Sequence, residues 1–382
     1  MISDVYFPRI NGVSTSIKTF HKELTGLGHE VRLIAPAYAA NNTPDWVYRI
    51  PSRYLPIDPE DRIMRRKYIK ALHETLKLQN FDIVHIQTPF LAFYEGVKIA
   101  RMLEIPCIAT FHTHFEEYLY HYLPIVPKRA VRFAVRHFSR QQGKDVDAII
   151  VPSRAISELL DRYGIHKPRE IIATGLDDGF LREGNGMGFR NDYGIDADRP
   201  VLMHIGRIAH EKNIDFLIHM LAHVRQEIPD ILLVIAGEGP ALGHLRNLVR
   251  TLKLEHNVLF VGYLDRETDL LDCYRAGDVF VFASNTETQG LVLLEAMAQG
   301  LPVVSTAVLG TRDILDPGEG VLIAQDDKRD FAGKVLQLLR NPGQRSQLAD
   351  QARSYARTWT AQAYAKKTEL FYRNVIDSYL PN

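Results

Sequence analysis

Short apolar runs rich in β-branched residues recur along the chain, most of them followed by a stretch of helical periodicity. Before residue 175 the runs are Met1–Ser3, Glu30–Pro36, Phe81–Gln87, Pro106–Phe111, Asp147–Pro152 and Glu170–Thr174. Between them lie helical stretches at Ser14–Leu27, Arg62–Asn80, Phe93–Leu103 and Pro127–Gln142. After residue 200 the pattern restarts with Pro200–Gly206, Ile231–Ala236, Val258–Val261 and Val279–Phe282, separated by helices at Ile214–Gln226 and Ala241–Leu252. Uninterrupted apolar strands are those buried on both faces, and intervening helices join parallel neighbours. The repeated alternation therefore demands an α/β fold of two doubly wound, Rossmann-like domains. The expected division is residues 1–175, a linker at 176–199 with repeated Gly and Asp, a second domain at 200–358, and one long terminal helix from about 359 to 382. Met1–Ser3 is short for a central strand, which raises the expectation that a few residues are missing ahead of it.

A chain of 382 residues accommodates two such domains. The 46 Lys and Arg balance 46 Asp and Glu overall, but residues 1–175 hold 24 basic against 18 acidic side chains. The first half is thus expected to meet something anionic, with too small an excess for non-specific nucleic-acid binding. Cys107 and Cys273 lie far apart, match no metal pattern and read as reduced core residues of a cytoplasmic protein. No apolar run reaches the roughly 18 residues of a spanning helix, and a signal-peptide pattern is absent.

Ligands of open α/β sheets bind beyond the carboxyl ends of strands. Two segments of the second domain stand there. Gly206-Arg-Ile-Ala-His-Glu-Lys-Asn213 carries Arg207 and Lys212, which could clamp a diphosphate, with Glu211 orienting one of them. Ala283–Pro302 runs from the end of a strand through a polar loop into an amphipathic helix opened by Gly290. The amides of Gly290, Leu291 and Val292 and the helix dipole suit a phosphate. Glu287 before that site and Glu295 after it could accept from hydroxyls on either side of a diphosphate, the polarity of a nucleotide-sugar. Taken alone, the two glutamates read more simply as solvent-facing helix residues.

In the first domain Gly12, before a helix, allows close approach of backbone to a ligand or marks a simple turn. His112 follows a strand directly; His85 lies inside one and reads as structural. Lys128, Arg132, Arg136 and Arg140 recur every four residues, with Arg129 beside them, while Val131, Ala134, Val135 and Phe138 fall on another face. This helix is either a solvated helix packed on its own domain or a dock for anionic lipid head groups.

These residues together resemble the retaining nucleotide-sugar glycosyltransferases of family 4. Gly-Arg-x-x-x-Glu-Lys at 206–212, Glu-x7-Glu at 287–295, the glycine loop Phe7-Pro-Arg-Ile-Asn-Gly-Val13 and Thr110-Phe-His-Thr113 match in order over nearly the whole chain. His112-Thr-His-Phe-Glu-Glu-Tyr118 followed by His121-Tyr122 is most similar to the branch acting on diacylglycerol and other lipids.

The resemblance implies a GT-B fold, two Rossmann-like domains facing across a cleft, with the terminal helix returning to the first. It implies donor binding by Gly12, Arg207, Lys212, Glu287, Gly290, Leu291, Val292 and Glu295. Glu295 would take ribose hydroxyls and Glu287 sugar hydroxyls. Catalysis would fall to His112, Arg207, Lys212 and Glu287. No metal and no cofactor are expected. Asp145-x-Asp147 and Asp196-x-Asp198 have metal-binding spacing but lie at a strand start and in the linker. The implied donor is a UDP-sugar in preference to a GDP-sugar, with UDP-glucose favoured. The implied acceptor is a membrane lipid such as diacylglycerol, reached by an enzyme peripheral to the inner membrane face through Lys128, Arg129, Arg132, Arg136 and Arg140. A soluble acceptor, a non-hydrolysing nucleotide-sugar epimerase and a non-catalytic sugar-binding module are the competing readings. Nucleotide base, sugar, acceptor linkage and oligomeric state stay open.

Overall fold

The computed structural model describes residues 1–38, 43–54, 62–112, 128–266 and 268–380. The chain forms two compact units, Met1–Gly175 with Ala361–Asn382, and Leu176–Thr360.

In the first unit, Leu33–Pro36 pairs in parallel with Val47–Ile50, and a second parallel set runs Val84–Ile86, Cys107–Thr110, Ala148–Val151, Arg169–Ile171. Ile2 joins the two sets by parallel bridges to Ile34 and Ile86. The amide of Ile2 donates to His85 O at 3.0 Å, and that of Ser3 to Ile34 O at 3.0 Å. The short opening run is thus the centre of the sheet, and Ile2 is buried there.

The basic stretch expected as one helix from Arg62 to Asn80 is instead divided. Arg62–Met64 is a strand antiparallel to Ser52–Tyr54, and helices Arg66–Ala71 and His73–Lys77 follow. Pairing decides this. Met64 lies opposite Ser52 and is buried, and the Arg62 guanidinium stacks 3.7 Å from the Tyr54 ring. Helical periodicity in the sequence reports neither contact.

The terminal helix, Ala361–Ser378, packs on the first unit. Phe371 and Val375 bury against Phe20, Leu24, Ile108 and Ile150. His85 fastens it from within the sheet, its ring nitrogens 2.5 Å from Tyr372 Oη and 2.6 Å from Thr110 Oγ1. Lys367 Nζ donates to Ile171 O at 2.7 Å.

The second unit holds a six-stranded, wholly parallel sheet. Its order is Val258–Gly262, Leu232–Ala236, Val201–Ile205, Val279–Phe282, Val303–Ser305, Val321–Ile323. In chain order this is 3-2-1-4-5-6, the doubly wound arrangement, and the direction of winding reverses between Val201–Ile205 and Val279–Phe282. Both of those strands are buried throughout, as apolar strands covered on two faces must be.

Residues 176–199, expected as a linker, fold into this unit. They form a 3₁₀ turn at Asp178–Leu181 and a helix at Gly186–Asp192, and Leu176, Phe180, Phe189 and Ile195 enter the core. Their glycines serve close packing. A Cβ on Gly184 or Gly186 would stand 2.4 Å from the carbonyl oxygens of Leu271 and Arg275 on helix Asp269–Ala276. Buried Arg190 ties the segment down, its Nε donating to Ala276 O at 2.9 Å and its Nη1 to Arg199 O at 2.8 Å.

Candidate active site

The winding reversal of the second sheet puts two loops side by side. One follows Val201–Ile205 and contains Arg207, Glu211 and Lys212; the other follows Val279–Phe282 and contains Glu287. Asn213 fastens them, its Nδ2 donating to Ala283 O at 3.1 Å. Lys212 Nζ donates to Glu287 Oε1, forming an ion pair between the loops. Both side chains are about one-fifth exposed, so the pair is within reach of a ligand. Arg207 lies 3.7 Å from Glu211. Of the two partners open to Glu211 in the sequence, the structure brings it to Arg207, and Lys212 goes to Glu287.

Gly290 caps the helix Leu291–Ala298 with φ of 93°, a left-handed conformation that favours glycine. The first helical bond runs from Leu293 N to Gly290 O at 2.9 Å. The N–H groups of Gly290, Leu291 and Val292 therefore precede the helical ladder, the arrangement that receives an anion. The helix itself is not amphipathic as expected. Leu293, Leu294, Glu295, Ala296 and Met297 are all buried, because helix Pro342–Ala356 covers it as well as the sheet.

Glu295 does not face solvent. Its side chain is 1% exposed. Arg266 Nη2 donates to Glu295 Oε1, and Tyr274 Oη donates to Glu295 Oε2 at 2.8 Å. Burial opposes the charge of Arg266, but the adjacent carboxylate outweighs it and holds the guanidinium above its ordinary pKa. The sequence reading overlooked both partners. Arg266 had one available signal, its place just beyond the carboxyl end of Val258–Gly262.

His204 was overlooked too. It lies in the strand that leads to Arg207, fully buried, with Nδ1 3.1 Å from Val281 O and Nε2 without a hydrogen-bond partner among the described residues. Burial lowers its pKa to about 4, so the ring is neutral.

In the first unit, His112 follows strand Cys107–Thr110, and its Nε2 lies 2.9 Å from Oε1 of buried Gln87. Burial lowers the His112 pKa to about 4. Gly12 opens helix Gly12–Gly26, whose N-cap Asn11 accepts from Ser14 N at 2.9 Å. A Cβ on Gly12 would meet nothing within 4 Å among the described residues. His114, Glu116, Glu117, Tyr118, His121 and Tyr122 lie outside the described residues.

The basic helix spans Lys128–Asp145. Arg129, Arg132, Arg136 and Arg140 are exposed, while Val131, Val135, Ser139 and Gln142 face inward. The expected apolar stripe is corrected in two places: Ala134 is exposed, and Phe138 is half-buried. Phe133 stands 75% exposed among the arginines. Elsewhere in this unit a cavity of about 620 Å³ is lined by Arg53, Arg65, Arg66 and Lys67 together with Ile63, Met64 and Leu91. Asp145 pairs with Arg101 at 3.1 Å, and Asp147 accepts from Cys107 N at 2.7 Å, so both are engaged in structure. Both cysteines are buried and free, and burial pushes their thiols up. No helix among the described residues is long and apolar enough to cross a membrane.

Two units built on parallel sheets, with a helix N-terminus and paired cations and carboxylates at the winding reversal of the second, are the architecture expected of a GT-B glycosyltransferase. Residues 10–180 match the model for Glycosyltransferase Family 4, and residues 188–355 that for Glycosyl transferases group 1. The chain belongs to this family and is an enzyme of the glycosyltransferase class. It is 34% identical over 351 residues to the alpha-monoglucosyldiacylglycerol synthase of Streptococcus pneumoniae, covering 89% of this chain and 77% of that protein. It is 26% identical to the enzyme of the same name from Acholeplasma laidlawii, covering 99% and 97%. Among solved structures, Anabaena HepE in complex with UDP-glucose superposes with a TM-score of 0.76 at 17% identity, over 98% of this chain and 99% of that one.

Proposed function

We propose that the protein is a retaining, metal-independent hexosyltransferase that moves glucose from UDP-glucose to a hydroxyl of a membrane lipid such as diacylglycerol. The observation that carries the donor reading is the arrangement at the winding reversal. Arg207 and Lys212 stand on the loop after Val201–Ile205, and the N–H groups at 290–292 follow the neighbouring strand Val279–Phe282; in this reading they hold the diphosphate, with Glu287 and Glu295 on either side of it. Their charge would stabilise the departing UDP, as a metal does elsewhere. In the reaction the bond from the anomeric carbon to the β-phosphate oxygen breaks. A bond to the acceptor oxygen forms on the same face, and the acceptor's proton passes to the leaving phosphate oxygen. Glu287 holds sugar hydroxyls, Glu295 the ribose, and neutral His112 contacts the transferred hexose.

The UDP-glucose bound to HepE and the names of the two synthases support this donor and acceptor. The exposed row of Arg129, Arg132, Arg136 and Arg140, with Phe133 among them, supports peripheral docking on an anionic leaflet. The basic cavity at Arg53, Arg65, Arg66 and Lys67 adds a second cationic feature on the same unit.

The test is incubation with UDP-[¹³C]glucose and diacylglycerol in anionic vesicles containing EDTA. Mass spectrometry should find a glucosyl lipid, and NMR an α-anomeric linkage. A β-linkage, or transfer to soluble acceptors alone, would reject the reading.

A further inference from the structure

We infer that Tyr274 and Arg266 are positioning residues of the nucleotide site: they set the orientation of Glu295 for the ribose. The inference rests on the donor reading above and adds two residues to it.

The Glu295 side chain is 1% exposed, so its oxygens need partners within the fold. Arg266 supplies one, and its guanidinium is itself supported 5.1 Å from the Phe180 ring. Phe180 belongs to the segment at 176–199, so the folding of that segment contributes to the site. Tyr274 is fully buried beneath the helix bearing Glu295 and fixes the second oxygen at 2.8 Å. Its hydroxyl also lies 3.4 Å from Val292 O, so one side chain contacts both the carboxylate and the first turn of the helix. Burial and the neighbouring carboxylate keep the phenol protonated, hence a donor.

An ionised carboxylate has about four acceptor sites, two on each oxygen. Arg266 takes one on Oε1 and Tyr274 one on Oε2. Among the described residues one site on each oxygen is left, which matches the two vicinal hydroxyls of a ribose. Arg266 is the more exposed partner, with 24% of its side chain accessible. Without Tyr274 the carboxyl group can rotate. Without Arg266 its other oxygen loses the partner that fixes it.

The experiment compares binding of UDP with that of 2′,3′-dideoxy-UDP by calorimetry. The ratio of the two affinities measures recognition of the ribose hydroxyls. In the native protein the ratio should be tenfold or more. Glu295→Ala should bring it near one. Tyr274→Phe, which keeps ring and volume, should lower the ratio several-fold while leaving dideoxy-UDP binding unchanged. A purely structural role would weaken both ligands alike and leave the ratio intact. Should Tyr274→Phe not fold, Arg266→Lys carries the same test: the charge stays, the planar fork is lost, and the ratio should fall. If Glu295→Ala collapses the ratio but a folded Tyr274→Phe or Arg266→Lys variant keeps it, the inference is overturned. If Glu295→Ala itself keeps the native ratio, the ribose reading of Glu295 fails instead.

Discussion

Lys212 and Glu287, 75 positions apart in the chain, form an ion pair that joins the two loops flanking the winding reversal of the second sheet. Each residue follows a different strand, and neither strand end alone makes a site. The pair is partly exposed, so its contribution to stability is of the order of 1 kcal/mol or less. In the proposed function its value lies in holding a cation and a carboxylate ready for a diphosphate and a sugar.

Replacing Lys212 or Arg207 by Ala should therefore cost activity far more than stability. The expected loss is about 3 kcal/mol in transition-state stabilisation, or roughly a hundredfold in kcat/KM. The melting temperature should move by only a few degrees. Steady-state kinetics with a thermal melt checks this; wild-type turnover in either variant would remove that residue from the clamp.

Chelation should leave turnover unchanged, because the proposed clamp draws its charges from side chains and helix amides. Activity lost in EDTA and regained on adding Mg²⁺ or Mn²⁺ would contradict the assignment.

The two glutamates should separate by ligand. Glu295→Ala should weaken UDP and UDP-glucose alike, whereas Glu287→Ala should weaken chiefly the sugar-bearing donor. Calorimetry with both ligands decides, and equal losses for both ligands in both variants would refute the division.

Membrane docking should depend on charge and on Phe133. Each exposed basic side chain contributes about 1 kcal/mol near an anionic leaflet, and the attraction is screened by salt. The protein should sediment with anionic vesicles at low salt and much less with neutral ones. Arg132, Arg136 and Arg140 changed to Glu should release it while UDP binding persists, and Phe133→Ser should weaken sedimentation further. Vesicle binding indifferent to the charge reversal would favour a soluble acceptor.

Stability should fall with acid through His204. Burial depresses its pKa from 6.5 to about 4 in the folded protein. The unfolded chain then binds the extra proton, so stability is complete above pH 6.5 and declines as pH falls towards 4. The full loss is about 3 kcal/mol, to the precision of that shift. Lys212 opposes protonation, and Glu287 and the Val281 carbonyl favour it. Denaturant titrations from pH 7 to 4 should show a shallower decline in His204→Phe than in the native chain. An unchanged slope would mean that His204 is not among the titrating groups.

Much of this architecture was legible before any coordinates. The alternation of apolar runs and helices specifies buried parallel strands because only that arrangement covers both faces of each run. Ligand-binding segments could be sought at Gly206–Asn213 and Ala283–Gly290 because both follow strands. What the sequence left open is pairing across distance. Periodicity could not show that Arg62–Met64 would find Ser52–Tyr54 and leave the helix, or that the Gly-rich stretch at 176–199 would pack against helix Asp269–Ala276. It gave Glu295 a place on a helix but not its partners. Arg266 and Tyr274 come from elements that meet only when the sheet is assembled. A residue's type and spacing follow from the chain itself. Its burial, charge state and hydrogen-bond partners depend on which other elements come to lie beside it, and only tertiary packing decides that.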